Sequence, residues 1–268
     1  MIDQAYSSVF TTMRWDGDSS VAHFASHFQR FKNHSLRLNI ELPKDIEELS
    51  VSALSKAFNK SVKSTKQDEI GLVSLTLTSC GLVSAETRWV KSLNHQITQK
   101  ASLPVQVTAT ALPAPNWNET INGCKHGDWQ PYIDAKNMVD ERGCETALFV
   151  KEDMIIDGVA YTPILLDDDG VAWYPDPKFG GINSISVATL IPRLLDCGIP
   201  VSKGRLTKSL ISRAKSILVV GTGVGVLHIT NLDGQKLGDG STQFAILCHE
   251  LFESAISESW FKIEEVVA

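Results

Sequence analysis

The chain has 268 residues, 43% hydrophobic and 21% charged, with a formal charge of −6 at pH 7. That length accommodates one large or two medium domains around a substantial core, and the acidic balance, with no Lys/Arg-rich run, argues against nucleic acid as a partner. The five cysteines, Cys80, Cys124, Cys144, Cys197 and Cys248, form no C-x-x-C pair and no zinc-spaced Cys/His cluster, which fits a reduced, cytoplasmic setting without a metal centre. The opening residues carry no basic region followed by an apolar segment, and no run of about eighteen apolar residues occurs, so neither secretion nor membrane insertion is expected.

In chain order, residues 9–15 are β-prone and stop at the turn Asp16-Gly17-Asp18. Ala22, Ala25, Phe28, Phe31, Ser35 and Leu38 recur in steps of three and four. They predict a helix ending before Pro43, with His27, Arg30 and His34 on another side and Arg30 flanking the core on one side only. An acidic start at Asp45-Ile46-Glu47-Glu48 and a Lys-rich end, matched to the helix dipole, predict a second helix over 45–66. Period-two patterns predict strands at 73–78 and 104–112, with 81–103 irregular. Closely spaced prolines, Pro113 and Pro115, mark a linker at 113–117. The expected organisation is therefore a smaller N-terminal α/β domain over 1–112 and a larger β-rich domain over 118–268.

Beyond the linker, a helix is expected over about 131–143 and a strand at 145–150. Hairpin-type turns follow at Asp157-Gly158 and Asp167-Asp168-Asp169-Gly170. Ile185, Ala188, Ile191 and Leu195 share a face of a helix with Asn183 or Ser184 as N-cap, closed by Gly198 and Pro200. A short helix over 206–214, a buried strand at 216–220 and a last helix over about 242–260 complete the chain.

Three stretches carry chemistry. Lys125 sits just before a turn, with an amphipathic helix behind it that Gly143 closes. A lysine held at an element boundary suits Schiff-base work, whereas the same residue without that flanking pattern reads as an ordinary surface lysine. The glycine turns at 180–184 and 221–225 offer backbone N–H groups to an anion, although either one alone does no more than turn the chain. Gly221-Thr222-Gly223-Val224-Gly225-Val226 is not a dinucleotide fingerprint, because Val226 stands where the last glycine belongs and a strand-like Leu227-His228-Ile229 follows. No Gly-Lys-Ser/Thr follows for a Walker loop, the Asp167 stretch lacks the spacing of a calcium loop, and no Gly-x-Ser-x-Gly elbow occurs.

The order of Phe10-Thr11-Thr12-Met13-Arg14, His27-Phe28-Gln29-Arg30-Phe31, the Lys125 stretch through Gly143-Cys144-Glu145, Gly181-Ile182 and Gly221-Thr222-Gly223 resembles the class IV aminotransferase family. These are the fold type IV pyridoxal-phosphate enzymes, which include branched-chain and D-amino acid aminotransferases and aminodeoxychorismate lyase. The resemblance spans nearly the whole chain and implies an α+β, two-domain fold like that of D-amino acid aminotransferase, pyridoxal 5'-phosphate between the domains, and a homodimer. It implies that Lys125 forms the Schiff base and that Arg30 clamps the phosphate. It further implies that Ile182, Asn183 and Gly223 supply backbone amides, and Thr222 a hydroxyl as well, to that phosphate, and that Asp157 faces the pyridine nitrogen.

The sequence also departs from the family. Asp157 is one methylene shorter than the usual glutamate, and an Asp-Gly pair can simply be a turn. Asn183-Ser184 replaces Thr-Arg, Thr162 stands where asparagine is common, and Trp129 lies where branched-chain members often carry a tyrosine. The implied activity is transfer of an amino group between an amino acid and a 2-keto acid. The alternatives are a lyase releasing pyruvate and 4-aminobenzoate from aminodeoxychorismate, towards which Phe10-Thr11-Thr12-Met13-Arg14 leans, and a cofactor-binding protein without turnover.

Overall fold

The computed structural model describes residues 6–62, 64, 66, 69–91 and 104–264. The chain forms two compact units, one of residues 1–95, 124–128 and 256–268, the other of 96–123 and 129–255. The expected division at 113–117 is corrected in three places: residues 104–112 group with the second unit, whose sheet takes in β5 (Gln106–Pro113), and the lysine segment and the C-terminal stretch group with the N-terminal chain. The reason is pairing, since the last two segments hydrogen-bond to strands of the first unit.

The first unit is built on β1 (Ser8–Trp15) and β2 (Ser20–Ala22), β3 (Glu69–Thr78), β4 (Val83–Lys91) and β15 (Trp260–Lys262). They form an antiparallel sheet in the order β15-β2-β1-β3-β4. Helix α1 (Phe24–Arg37) packs against β1, and α2 (Ile46–Lys60) against β3 and β4. Met13, Phe31, Leu54, Leu75 and Leu77 are fully buried here, and the Trp15 ring stacks on Phe58 at 5.3 Å.

Strand β4 corrects the irregular segment expected from 81; residues 92–103 of that expectation lie outside the described residues. Val83, Ala85, Thr87 and Trp89 alternate with Ser84, Glu86 and Arg88, a period-two signal that alanine and threonine keep faint. Pairing with β3 from Glu69–Lys91 to Leu77–Val83 supplies what the pattern lacked. Helix α2 stops at Lys60, short of the expected 66, because Ser61 turns extended.

The second unit carries a ten-stranded mixed sheet. Its main path runs β10 (Val201–Gly204), β9 (Ala172–Pro175), β8 (Thr162–Leu166), β12 (Ser216–Gly221), β13 (Gly225–Leu232), β5 (Gln106–Pro113), β6 (Thr146–Lys151), β7 (Met154–Gly158) and β11 (Leu206–Thr207). A short β14 (Gln235–Lys236) pairs with β13. Val107, Leu148, Leu165, Ile217, Val219 and Ile229 belong to one apolar cluster of this unit. A second, Leu112, Tyr132, Ala135, Val139, Phe149 and Ile156, includes residues of α3 (Gln130–Glu141). Pro113, expected in the linker, is the last residue of β5 and pairs with Val150.

Asp157-Gly158 is not a hairpin turn. The reversal after β6 falls at Glu152 and Asp153, whose φ values of 49° and 59° are those of a primed turn, and Asp157 is a buried strand residue. The short helix expected at 206–214 is strand β11 followed by α5 (Lys208–Ser212), with Thr207 as N-cap. Helix α4 (Ile185–Asp196) is capped by the Ser184 hydroxyl, which accepts the Val187 N–H at 3.3 Å. The last helix, α6, is Gln243–Glu258.

Candidate active site

In the first unit, β2 pairs with β1 only near Trp15, and residues 8–10 on β1 receive the lysine segment. Phe10 N–H donates to the Lys125 carbonyl at 3.2 Å and Gly127 N–H to the Ser8 carbonyl at 2.9 Å. A Cβ at 127 would strike the Ser8 hydroxyl, which would have to rotate away for this approach to persist. On its other side the Lys125 N–H donates to His34 Nδ1 at 3.1 Å. The half-buried Lys125 side chain runs back over the Phe10 ring, with Nζ 4.6 Å from its centre, a placement that favours a cation only weakly and leaves the amine close to an apolar surface.

Helix α1 brings a second group to this unit. His27, Arg30 and His34 are all buried, at 2, 8 and 3% exposure, which corrects the expectation that Arg30 keeps an open flank. Thr11 explains the burial: its hydroxyl lies 2.8 Å from His27 Nδ1 and accepts from Arg30 Nη2 at 3.0 Å. Burial pulls the Arg30 guanidinium down to about 10. Burial first, then the Arg30 charge, holds the His27 imidazole well below its ordinary range. His34 falls to about 3, again mainly through burial, with Arg30, Arg37, Lys125 and His126 adding to it.

In the second unit, Asp157 is 3% exposed at the end of β7. Thr162 donates its hydroxyl to Oδ1 at 3.1 Å, and the Ile182 N–H donates to Oδ2 at 2.7 Å. Gly181 makes the second bond possible, because any Cβ there would run into the Ile156 carbonyl oxygen. Tyr132 and Tyr161 are pushed up by burial, and the Asp157 carboxylate adds to both. The Tyr132 ring stands edge-on to Trp129 at 4.4 Å and to Phe149 at 5.4 Å.

Helix α4, which follows the first glycine turn, reaches the second one in this unit. Ser186, in the first turn of α4, and Thr222 bring their hydroxyls to 3.5 Å of each other. Thr222 and Gly223 are half-buried in the β12–β13 turn, while Asn183 is exposed. The backbone amides of the first turn have acceptors within the chain: Ile182 gives its N–H to Asp157, and Asn183 gives its own to the Gly123 carbonyl at 3.2 Å. An N–H carries one proton, so an anion received by either amide has to displace that acceptor.

Sequence reasoning gave no role to Thr11, His34, Tyr132 or Ser186. For His34 a signal existed, since it follows His27 and Arg30 by helical steps of seven and four. Among the described residues the Asp167, Asp168 and Asp169 carboxylates converge within 4.8 Å. Asp167, however, already accepts from the Asp169 and Val171 amides and the Trp173 indole.

A family model described as amino-transferase class IV matches residues 8–232, and the chain belongs to that family. Solved structures agree on the fold. The branched-chain amino acid aminotransferase of Escherichia coli matches with a TM-score of 0.75 at 14% identity, over 96% of this chain and 90% of that one. A hypothetical aminotransferase from Mycobacterium tuberculosis, in a PLP-bound form, gives 0.75 at 16% identity over 94% and 89%. A putative 4-amino-4-deoxychorismate lyase from Legionella pneumophila gives 0.73 at 14% identity over 93% and 91%. The fold is thus the α+β architecture of fold type IV. No curated protein sequence matches the chain.

Proposed function

We propose that the chain is a pyridoxal-phosphate-dependent aminotransferase that moves an amino group between an amino acid and a 2-keto acid, with Lys125 as the covalent anchor. The observation that carries this reading is the fixation of Lys125. Its N–H is held by His34, its carbonyl by Phe10 N–H, and its amine lies over the Phe10 ring, in the unit that also buries Arg30.

The donor set fits the cofactor. The first unit supplies a buried guanidinium and an amine beside an apolar face, suited to a phosphate and an aldehyde; the second supplies paired hydroxyls at a helix start and a buried carboxylate, suited to a phosphate and a protonated ring nitrogen. When bound, the cofactor supplies the aldehyde that links to an amine and the ring that takes up the electron pair left by α-proton removal.

The chain's residues supply the rest. Lys125 would hold the cofactor through its neutral amine and, once a substrate amine had displaced it, would carry the α-proton. Arg30, preset by Thr11, meets the phosphate with a fork of N–H groups. On the family resemblance, Thr222 and Gly223 would also serve the phosphate, and Ile182 and Asn183 would join them only by exchanging their present acceptors. Asp157 takes the ring N–H, as a carboxylate has about four acceptor sites. The reading includes a homodimer, on the family resemblance alone, and a cytoplasmic setting, on the scattered, unpaired cysteines. No helix among the described residues is long and apolar enough to cross a membrane.

The second reading, release of pyruvate and 4-aminobenzoate from aminodeoxychorismate, is favoured by Phe10-Thr11-Thr12-Met13-Arg14 and uses the same lysine. Incubation with pyridoxal phosphate, borohydride reduction and digestion should place the label on Lys125. Label on another residue, or none, rejects both readings. An amino-acid panel with a keto acid acceptor, and aminodeoxychorismate without one, then separate them: keto-acid-dependent product formation supports the aminotransferase, release of pyruvate and 4-aminobenzoate from aminodeoxychorismate supports the lyase, and no turnover of either supports a binding protein.

A further inference from the structure

Helix α1 reaches the lysine segment through one residue. The Lys125 N–H points at His34 Nδ1, 3.1 Å away, and the Lys125 carbonyl is held from the opposite side by Phe10 of β1 at 3.2 Å. His34 stands one helical turn beyond Arg30 and two beyond His27, and all three are buried. One helix face therefore carries both the guanidinium and the acceptor that sets the lysine backbone.

We propose that His34 is a positioning residue for Lys125: a neutral acceptor that fixes the lysine's backbone without placing a negative charge beside its amine. The inference rests on the assignment of Lys125 as the covalent anchor. A carboxylate in the same place would hold the N–H more strongly, but it would also stabilise the ammonium form, which cannot attack an aldehyde. An imidazole avoids this while it keeps a lone pair on Nδ1, which requires its proton on Nε2. The groups facing His34 preserve that form. Arg30 and Arg37 come from its own helix and Lys125 and His126 from the lysine segment, and with burial they oppose protonation of the ring.

The test uses the full chain and the variants His34→Asn, His34→Asp and His34→Leu. An Asn or Asp oxygen is as many bonds from the backbone as Nδ1, so both keep the acceptor and differ in charge and in the N–H donors that Asn adds. Two quantities are read: amide hydrogen exchange at Lys125 without added cofactor, and the pH midpoint of borohydride-trapped coupling to pyridoxal phosphate. His34→Leu should speed exchange at Lys125 about tenfold, and His34→Asn should restore protection. His34→Asp should keep protection and move the coupling midpoint up by about one pH unit.

Unchanged exchange in a folded His34→Leu overturns the proposal, as does a His34→Asn amide no better protected than that of His34→Leu. If His34→Leu does not fold, the Asn and Asp pair still decides, because equal midpoints for the two overturn the electrostatic argument. Failure to trap Lys125 in the parent chain removes the proposed function instead, while the exchange measurement still reports the hydrogen bond.

Discussion

At the residue scale, Asp157 shows how far one side chain can depart from its local signature. Its Asp-Gly sequence reads as a turn, yet the side chain lies in a strand with Thr162 and the Ile182 amide donating to it. Removing the carboxylate strands a hydroxyl and an amide in a buried place, each costing about 1–3 kcal/mol. Asp157→Ala should therefore lower the urea midpoint by the equivalent of about 2–4 kcal/mol, while Asp157→Thr, which keeps one acceptor, should lose less. Equal losses for the two would show that the carboxylate's hydrogen bonds carry no net stability. Its partners are 5 and 25 residues away in sequence, beyond any local pattern.

At the element scale, the decisive contact is the approach of the Gly180-Gly181 turn to β7. The helix that follows was legible in advance, with Ser184 as its cap, but its buried face was not: Val187, Leu190 and Leu194 are buried, whereas Ala188 and Leu195 of the expected face Ile185, Ala188, Ile191 and Leu195 are exposed. What the periodicity could not say is which strand the turn before the helix touches. With a methyl group at 181 meeting the Ile156 carbonyl oxygen, the turn has to move away. Gly181→Ala should cost about 1–3 kcal/mol, the usual range for overpacking, and speed amide exchange at Ile182 because its bond to Asp157 is lost. Unchanged exchange at Ile182 would mean that the turn tolerates the methyl in place. Strand β4 teaches the converse, since its alternation was present in the sequence but too faint until β3 supplied the partner.

At the scale of the whole molecule, acid sensitivity follows from the buried histidines. His27, His34, His126 and His228 all lie below the ordinary value of 6.5, each chiefly through burial. The unfolded chain therefore binds more protons than the folded one as pH drops below about 6.5, and stability falls with pH through that window. For His34 the loss continues down to its folded value of about 3. Each pH unit costs up to ~1.4 kcal/mol for each such histidine. Urea midpoints at pH 7, 6 and 5 should fall progressively, and His34→Asn should reduce the slope by up to one proton. A flat profile between pH 7 and 5 would contradict the burial of these rings in the neutral form.

The sequence by itself determined most helices and strands, because periodicity and capping are local, and it pointed to Lys125, Arg30 and the two glycine turns through the order of short motifs. Tertiary structure alone decided that residues 124–128 join the first unit through strand pairing, that Thr11 buries Arg30, and that His34 holds the lysine amide. Each of those bonds joins residues at least 19 apart. Hydrogen-bond geometry depends on where folded segments meet, and no short window of sequence contains that information.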